Sequence, residues 1–188
     1  MKHITAIFAV LMTLAIGLAC SGGDDTAKAN ELVGEANKFI VEAGSAVTKV
    51  TSKSSEFDSK VNSIKNNRDL EAARAFGKEI TVFYTTMEEN FKKAGDKFEE
   101  AGKLNVNEKF KEYLQSKATE MKKRAEYSTE LKKIPKALDD SQNEKAYRES
   151  IATIVPNVQK MTKEAQDLAE KADKIVKDNP TIIKPADK

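Results

Sequence analysis

Histidine occurs once in this chain, at position 3, cysteine once, at position 20, and tryptophan not at all. Past residue 20 there is neither imidazole nor thiol, so Ser-His and Cys-His nucleophilic constellations cannot be assembled there. Zinc and copper sites of the usual nitrogen and sulfur type fail for the same reason. So do c-type haem attachment and the Glu-x-x-His pairs of di-iron bundles. No glycine-rich phosphate loop is present, and a single cysteine allows no disulfide within the chain. A large excess of one charge is also missing, with 32 basic against 30 acidic side chains. Nucleic-acid binders usually show a clear basic excess, so no nucleic-acid partner is expected. The carboxylates are interleaved with lysines, as the exterior of soluble helices requires. These absences predict a chain with no catalytic residues, no cofactor and no metal.

The one cysteine sits in "LAIGLACSGGDD", residues 14 to 25. Before it, residues 4 to 19 (ITAIFAVLMTLAIGLA) are apolar apart from Thr5, Thr13 and Gly17, and Lys2 is the one firm charge ahead of Asp24. A positive tip, a short apolar run and small residues at its end describe a secretory signal. The run is sixteen residues, short of the roughly 20 that a spanning helix needs. The residues "GLAC" followed by "SGG" resemble the lipobox of bacterial lipoproteins over about the first 23 residues, with Ala19 matching and Gly17 standing where leucine is usual. The resemblance implies a cleaved signal peptide, residues 1–19, and a diacylglycerol on the Cys20 sulfur. The bland alternative is an ordinary signal peptide with a chance cysteine at its end. Two or more acyl chains hold a protein stably on a bilayer, so a triacylated Cys20 would serve as a membrane anchor. Residues 20–26 then form a short flexible tether. Removal of residues 1–19 leaves 169 residues, with 31 basic (32 without Lys2) and 30 acidic side chains. That length suits a single domain with a real core.

From residue 29 the apolar spacing predicts four long helices. Ala29, Leu32, Val33, Ala36, Phe39, Ile40, Ala43, Ala46, Val47, Val50, Phe57, Val61 and Ile64 mark one face of a helix about ten turns long. Asp24, Asp25 and Thr26 are its cap candidates. After "NNRD" at 66–69, where Asp69 is the expected cap, Leu70, Ala73, Gly77, Ile80, Tyr84, Met87, Phe91, Ala94, Phe98 and Ala101 step by three and four in a heptad pattern. A third segment, about 107–138, places Phe110, Leu114, Ala118, Met121, Ala125, Leu131, Ile134 and Leu138 inward, with Lys117, Arg124 and Ser128 near the seam. The fourth, with Asp140 or Ser141 as expected cap, repeats at Tyr147, Ile151, Ile154, Val158, Met161, Ala165, Leu168, Ala172 and Ile175. Nothing alternates with period two, so no sheet is expected.

Short polar breaks near 65–69, 103–107 and 139–141 make consecutive helices antiparallel. The expected fold is all-α, an up-down-up-down antiparallel four-helix bundle over residues 27–178, with a loose tail at 179–188. One continuous coiled coil is the competing architecture, and the breaks oppose it. Folding the second segment onto the third about residue 104 pairs Tyr84 with Ala125, Phe91 with Ala118, Met87 with Met121 and Phe98 with Phe110. Residues 69–102 carry 5 basic and 8 acidic side chains and residues 105–136 carry 9 and 5, so the two should attract.

Four features have both a functional and a structural reading. The near-repeat "FKKAG" and "FEEAG" at 91–95 and 98–102 is a binding motif or one heptad written twice, with Gly95 and Gly102 exposed or at a close helix contact. Pro135 and Pro156 open a cavity or bend their helices. Lys122, Lys123 and Arg124 meet an anionic surface or lie on a solvated face. Phe76, Phe83, Tyr84, Phe91 and Phe98 line an apolar pocket or fill the core. In each case the structural reading is the expected one. Function then reduces to a non-enzymatic envelope lipoprotein, held in the outer membrane by lipid on Cys20, that supports or contacts a protein partner. In lysine, glutamate and asparagine content the chain looks like helical surface lipoproteins such as those of spirochaetes, a similarity of architecture rather than of motif. The alternative is a carrier or chaperone-like bundle for an apolar ligand or unfolded chain.

Overall fold

The computed structural model describes residues 25–180; the signal-peptide assignment at 1–19, the Cys20 assignment and all but the first two residues of the tail at 179–188 lie outside them. Four helices follow one another: α1 Thr26–Asn62, α2 Asn67–Gly102, α3 Glu108–Asp140 and α4 Glu144–Asp178. The chain is an all-α four-helix bundle, with no strand among the described residues.

Direction follows from the cross-helix pairs. Glu35 and Lys53 of α1 meet Lys97 and Glu79 of α2, and Lys122 and Lys132 of α3 meet Glu99 and Glu88 of α2. Lys123 of α3 meets Glu164 of α4, and further along α3 Tyr127 lies beside Thr162, earlier in α4. Each helix therefore runs opposite to its predecessor. The start of α1, the 103–107 turn and the end of α4 share one pole, here the near pole. The turns at 63–66 and 141–143 form the far pole, about 50 Å away at 1.5 Å per helical residue.

The turns sit where the polar breaks predicted, but two caps differ. Asn66, rather than Asp69, caps α2 by accepting from the amides of Arg68 and Asp69, while Asp69 Oδ2 accepts from the Lys65 amide. Asp69 thus reaches back to the residue before the cap, one position beyond the amide that a capping box takes. Asn143, rather than Asp140 or Ser141, caps α4 by accepting from the Ala146 amide. Helix α3 runs on through Asp140 because Arg74 of α2 reaches across to the carbonyls of Leu138 (3.3 Å) and Ser141 (2.7 Å). Asp25 takes the N-cap position of α1, its carbonyl accepting from the Ala29 amide while its side chain makes no bond to that helix's amides.

The core runs the length of the bundle and includes Phe98, Phe110, Met87, Leu114, Met121, Leu131 and Leu138, all fully buried. Pro135 and Pro156 both lie inside continuous helices. Gly95 is buried at a close helix contact, where a Cβ would lie 3.2 Å from Lys122 Cγ and 3.4 Å from the Ala118 carbonyl oxygen.

The α2/α3 register differs from expectation by about a turn. Ala118 faces Gly95 rather than Phe91, and Phe91 lies under the Arg124 guanidinium, 5.9 Å from ring centroid to Cζ. Helical side chains lean toward their own N-terminus, so across an antiparallel pair the partners' numbers rise above those of the backbone register. Packing is close for α1 on α2, α2 on α3 and α3 on α4, but α1 and α4 do not pack closely along their length. The bundle is thus less closed than a symmetric arrangement of four seams predicts.

Candidate functional site

Three places in the bundle depart from simple apolar packing. The first is a row of charges on α3. Glu120 is only 1 % exposed, and its Oε2 accepts from Lys117 Nζ at 2.6 Å. Its Oε1 accepts from Arg124 Nε and Nη2, each at 2.8 Å. Spacings of three and four put all three on one helix face. The carboxylate is satisfied on both oxygens, as a buried charge must be. Arg124 therefore does not belong to the solvated face expected for the 122–124 run. Lys122 pairs with Glu99, and Lys123 with Glu126 and Glu164. Every cation of that run is tied down by a carboxylate.

The second place is a layer toward the far pole. Tyr84, Tyr127 and Tyr147 come from α2, α3 and α4, and Asp58 of α1 lies close enough to act electrostatically on Tyr84 and Tyr147. Burial pushes all three phenols, and that of Tyr113, above their usual range, so they stay neutral. The Tyr127 hydroxyl is buried beside Thr162 without a hydrogen bond of good geometry. Burial also raises the Asp58 carboxyl, against the opposing pull of Arg148. Arg148 in turn donates to Asn62 Oδ1 at 2.7 Å, fastening α4 to the end of α1.

The third place is the near pole. Asp25 Oδ2 accepts from the Asn105 amide at 3.0 Å, which fixes the entry of α1 against the α2–α3 turn. Cys20, the predicted lipid site, lies five positions earlier and outside the described residues.

The aromatic residues divide between core and rim. Phe76, Tyr84, Phe91 and Phe98 are buried, and Phe57 stacks on Phe76 with centroids 6.4 Å apart. Phe83 is half-buried with Lys49 over its ring. An open groove between α2 and α3 is lined by Lys78, Thr81, Lys132, Lys136, Asp139 and Asp140. Such a lining suits water and ions rather than an apolar ligand. Among the described residues no group of three or more His, Cys, Asp or Glu could hold a metal ion, and no helix is long and apolar enough to cross a membrane.

Sequence reasoning missed Glu120, Asp58 and the Asp25–Asn105 contact. A signal existed for the first, since Glu120 stands three residues after Lys117 and four before Arg124, both near the seam. No such signal existed for the others, which depend on contacts between distant helices. The architecture defines the class, an antiparallel bundle of four long helices. Compared with protein-family models, curated proteins and solved structures, the chain matches none.

Proposed function

We infer that this chain is a non-enzymatic lipoprotein of the bacterial envelope, anchored through lipid on Cys20 in the outer membrane, and that its bundle serves as an interaction or structural module. The observation that carries this reading is the Asp25–Asn105 contact. It holds the start of α1 at the near pole, five residues after Cys20. A lipid on that cysteine keeps the near pole against the bilayer and leaves the turns at 63–66 and 141–143 to meet a protein partner about 50 Å out.

The reading is tested by metabolic labelling with a fatty acid, followed by mass spectrometry of the N-terminal peptide. The expected species begins at Cys20 and carries acyl groups, and Cys20→Ser is expected to abolish labelling and release the protein from membranes. An unmodified Cys20 thiol in membrane-bound protein overturns the reading.

The carrier alternative draws on one observation, the absence of close packing between α1 and α4. It predicts a rise in melting temperature with long-chain fatty acids, and no shift at saturating ligand eliminates it.

A further inference from the structure

Helices α1 and α4 are the two edges of the bundle, since α1 packs closely on α2 and α4 on α3. The two edges are not held alike. Twelve residues of α1 are buried against six of α4, in helices of nearly equal length. On α4 the line Ile154, Met161 and Leu168, part of the inward repeat read from the sequence, stays half-buried. Pro156, in the same stretch, has no amide to donate to its helix.

The face of α3 that α4 covers is polar. Tyr113, Glu120 and Tyr127 recur at seven-residue intervals and so share one line along the helix. Tyr127 lies beside Thr162 of α4, while Tyr113 and Glu120 lie close enough to Asp173 of α4 for charge to act between them. Lys117 acts on Asp173 as well. The buried Lys117–Glu120–Arg124 row therefore belongs to this seam, whereas α1 meets α2 through the Phe57–Phe76 stack.

Separating α4 leaves that row intact, because all three charges stand on α3 and stay within reach of one another. They regain the water whose loss makes buried ions costly. The Tyr127 hydroxyl, buried without a hydrogen bond of good geometry, regains it too. The clasps across α4 also have replacements on their own helices. Lys123 leaves Glu164 but keeps Glu126, and Arg148 leaves Asn62 but keeps Glu144. Lifting α1 instead would expose Val50, Phe57 and Val61, which have nothing polar to return to water.

We propose that α4 is a releasable strap: it parts from α1–α3 as one unit while those three stay folded, in an opening less costly than unfolding the whole chain. The opening is independent of lipid on Cys20.

Thiol labelling tests it on the full chain in a Cys20→Ser background. Ala165→Cys on α4 and Ala94→Cys on α2 place single thiols at sites 4 % and 0 % exposed. The Gly95–Ala118 and Lys123–Glu164 contacts put the two sites at similar heights in the bundle. Without denaturant, maleimide is expected to label Ala165→Cys about tenfold or more faster than Ala94→Cys, with Ala172→Cys matching Ala165→Cys. The rate at Ala165→Cys should also rise less steeply with urea, since less surface opens. Equal rates at Ala165→Cys and Ala94→Cys overturn the proposal. So does Ala172→Cys labelling much faster than Ala165→Cys, which marks fraying from the helix end. If circular dichroism shows that a variant fails to fold, amide exchange of the unaltered chain decides the matter by mass spectrometry. Peptides within 150–175 should then exchange as one block ahead of those within 75–100, and exchange no faster than these overturns the proposal.

Discussion

Glu120→Ala should be among the most damaging single substitutions in the bundle. The change removes the one carboxylate that both Lys117 and Arg124 contact, and their side chains are only 8 % and 12 % exposed. Truncating one member of a buried ion cluster typically costs about 3–5 kcal/mol, because the remaining charges keep their desolvation penalty and lose its compensation. For a chain of this size each kcal/mol lowers Tm by about 2–4 °C, so a fall of about 6–20 °C is expected by circular dichroism at neutral pH. The same reasoning requires the opposite result when all three charges leave together. Lys117→Met/Glu120→Leu/Arg124→Met should recover most of the loss and can exceed the parent, since well-packed apolar replacements of buried ion clusters are often neutral or stabilising. The effects will not add, because the three residues share one network. A loss under about 1 kcal/mol for Glu120→Ala, or a triple variant weaker than the single one, would show that water screens the cluster and refute the argument.

Gly34 is exposed, and a Cβ there would meet nothing within 4 Å. Gly34→Ala should therefore add about 1 kcal/mol in urea unfolding, whereas Gly95→Ala should gain nothing because its Cβ presses on Lys122 and the Ala118 carbonyl. Arg74→Ala strips two hydrogen bonds from the carbonyls of Leu138 and Ser141. A loss of about 2 kcal/mol is expected, with faster amide exchange at residues 137–143. Burial raises the Asp58 carboxyl, so above its folded pKa the ionised form weakens the fold, and wild-type stability from this group grows as pH falls toward the ordinary aspartate value of 3.8. Asp58→Asn should raise Tm at pH 7, and the gain should vanish below pH 3.8; a gain that persists at pH 3 contradicts a desolvation origin.

The heptads of α2 and α4 were readable because their apolar steps never miss, and the breaks were readable because Asn, Asp and Gly gather there. Cap identity was not. Asp140 and Ser141 are good cap residues in isolation, but Arg74 occupies the neighbouring carbonyls from a different helix, and the Ser141 hydroxyl donates back to Ala137. The α2/α3 register slipped because backbone matching about a turn ignores the lean of long side chains. Charge attraction between α2 and α3 was legible and takes form in Lys122–Glu99 and Lys132–Glu88. The Lys117–Glu120–Arg124 cluster was half-legible: two cations near a seam were visible, while the anion between them passed for surface. The candidate anchor rests on sequence alone, because Cys20 precedes the described residues.

An even number of antiparallel rods returns the chain to the side from which it set out. Asp25 and Pro180 are thus neighbours in altitude although 155 positions apart in sequence. A reporter fused to the C-terminus would share the crowded ground floor with any leash on the N-terminus. A short epitope inserted at 64–66 would instead ride at the opposite summit, clear of both chain ends.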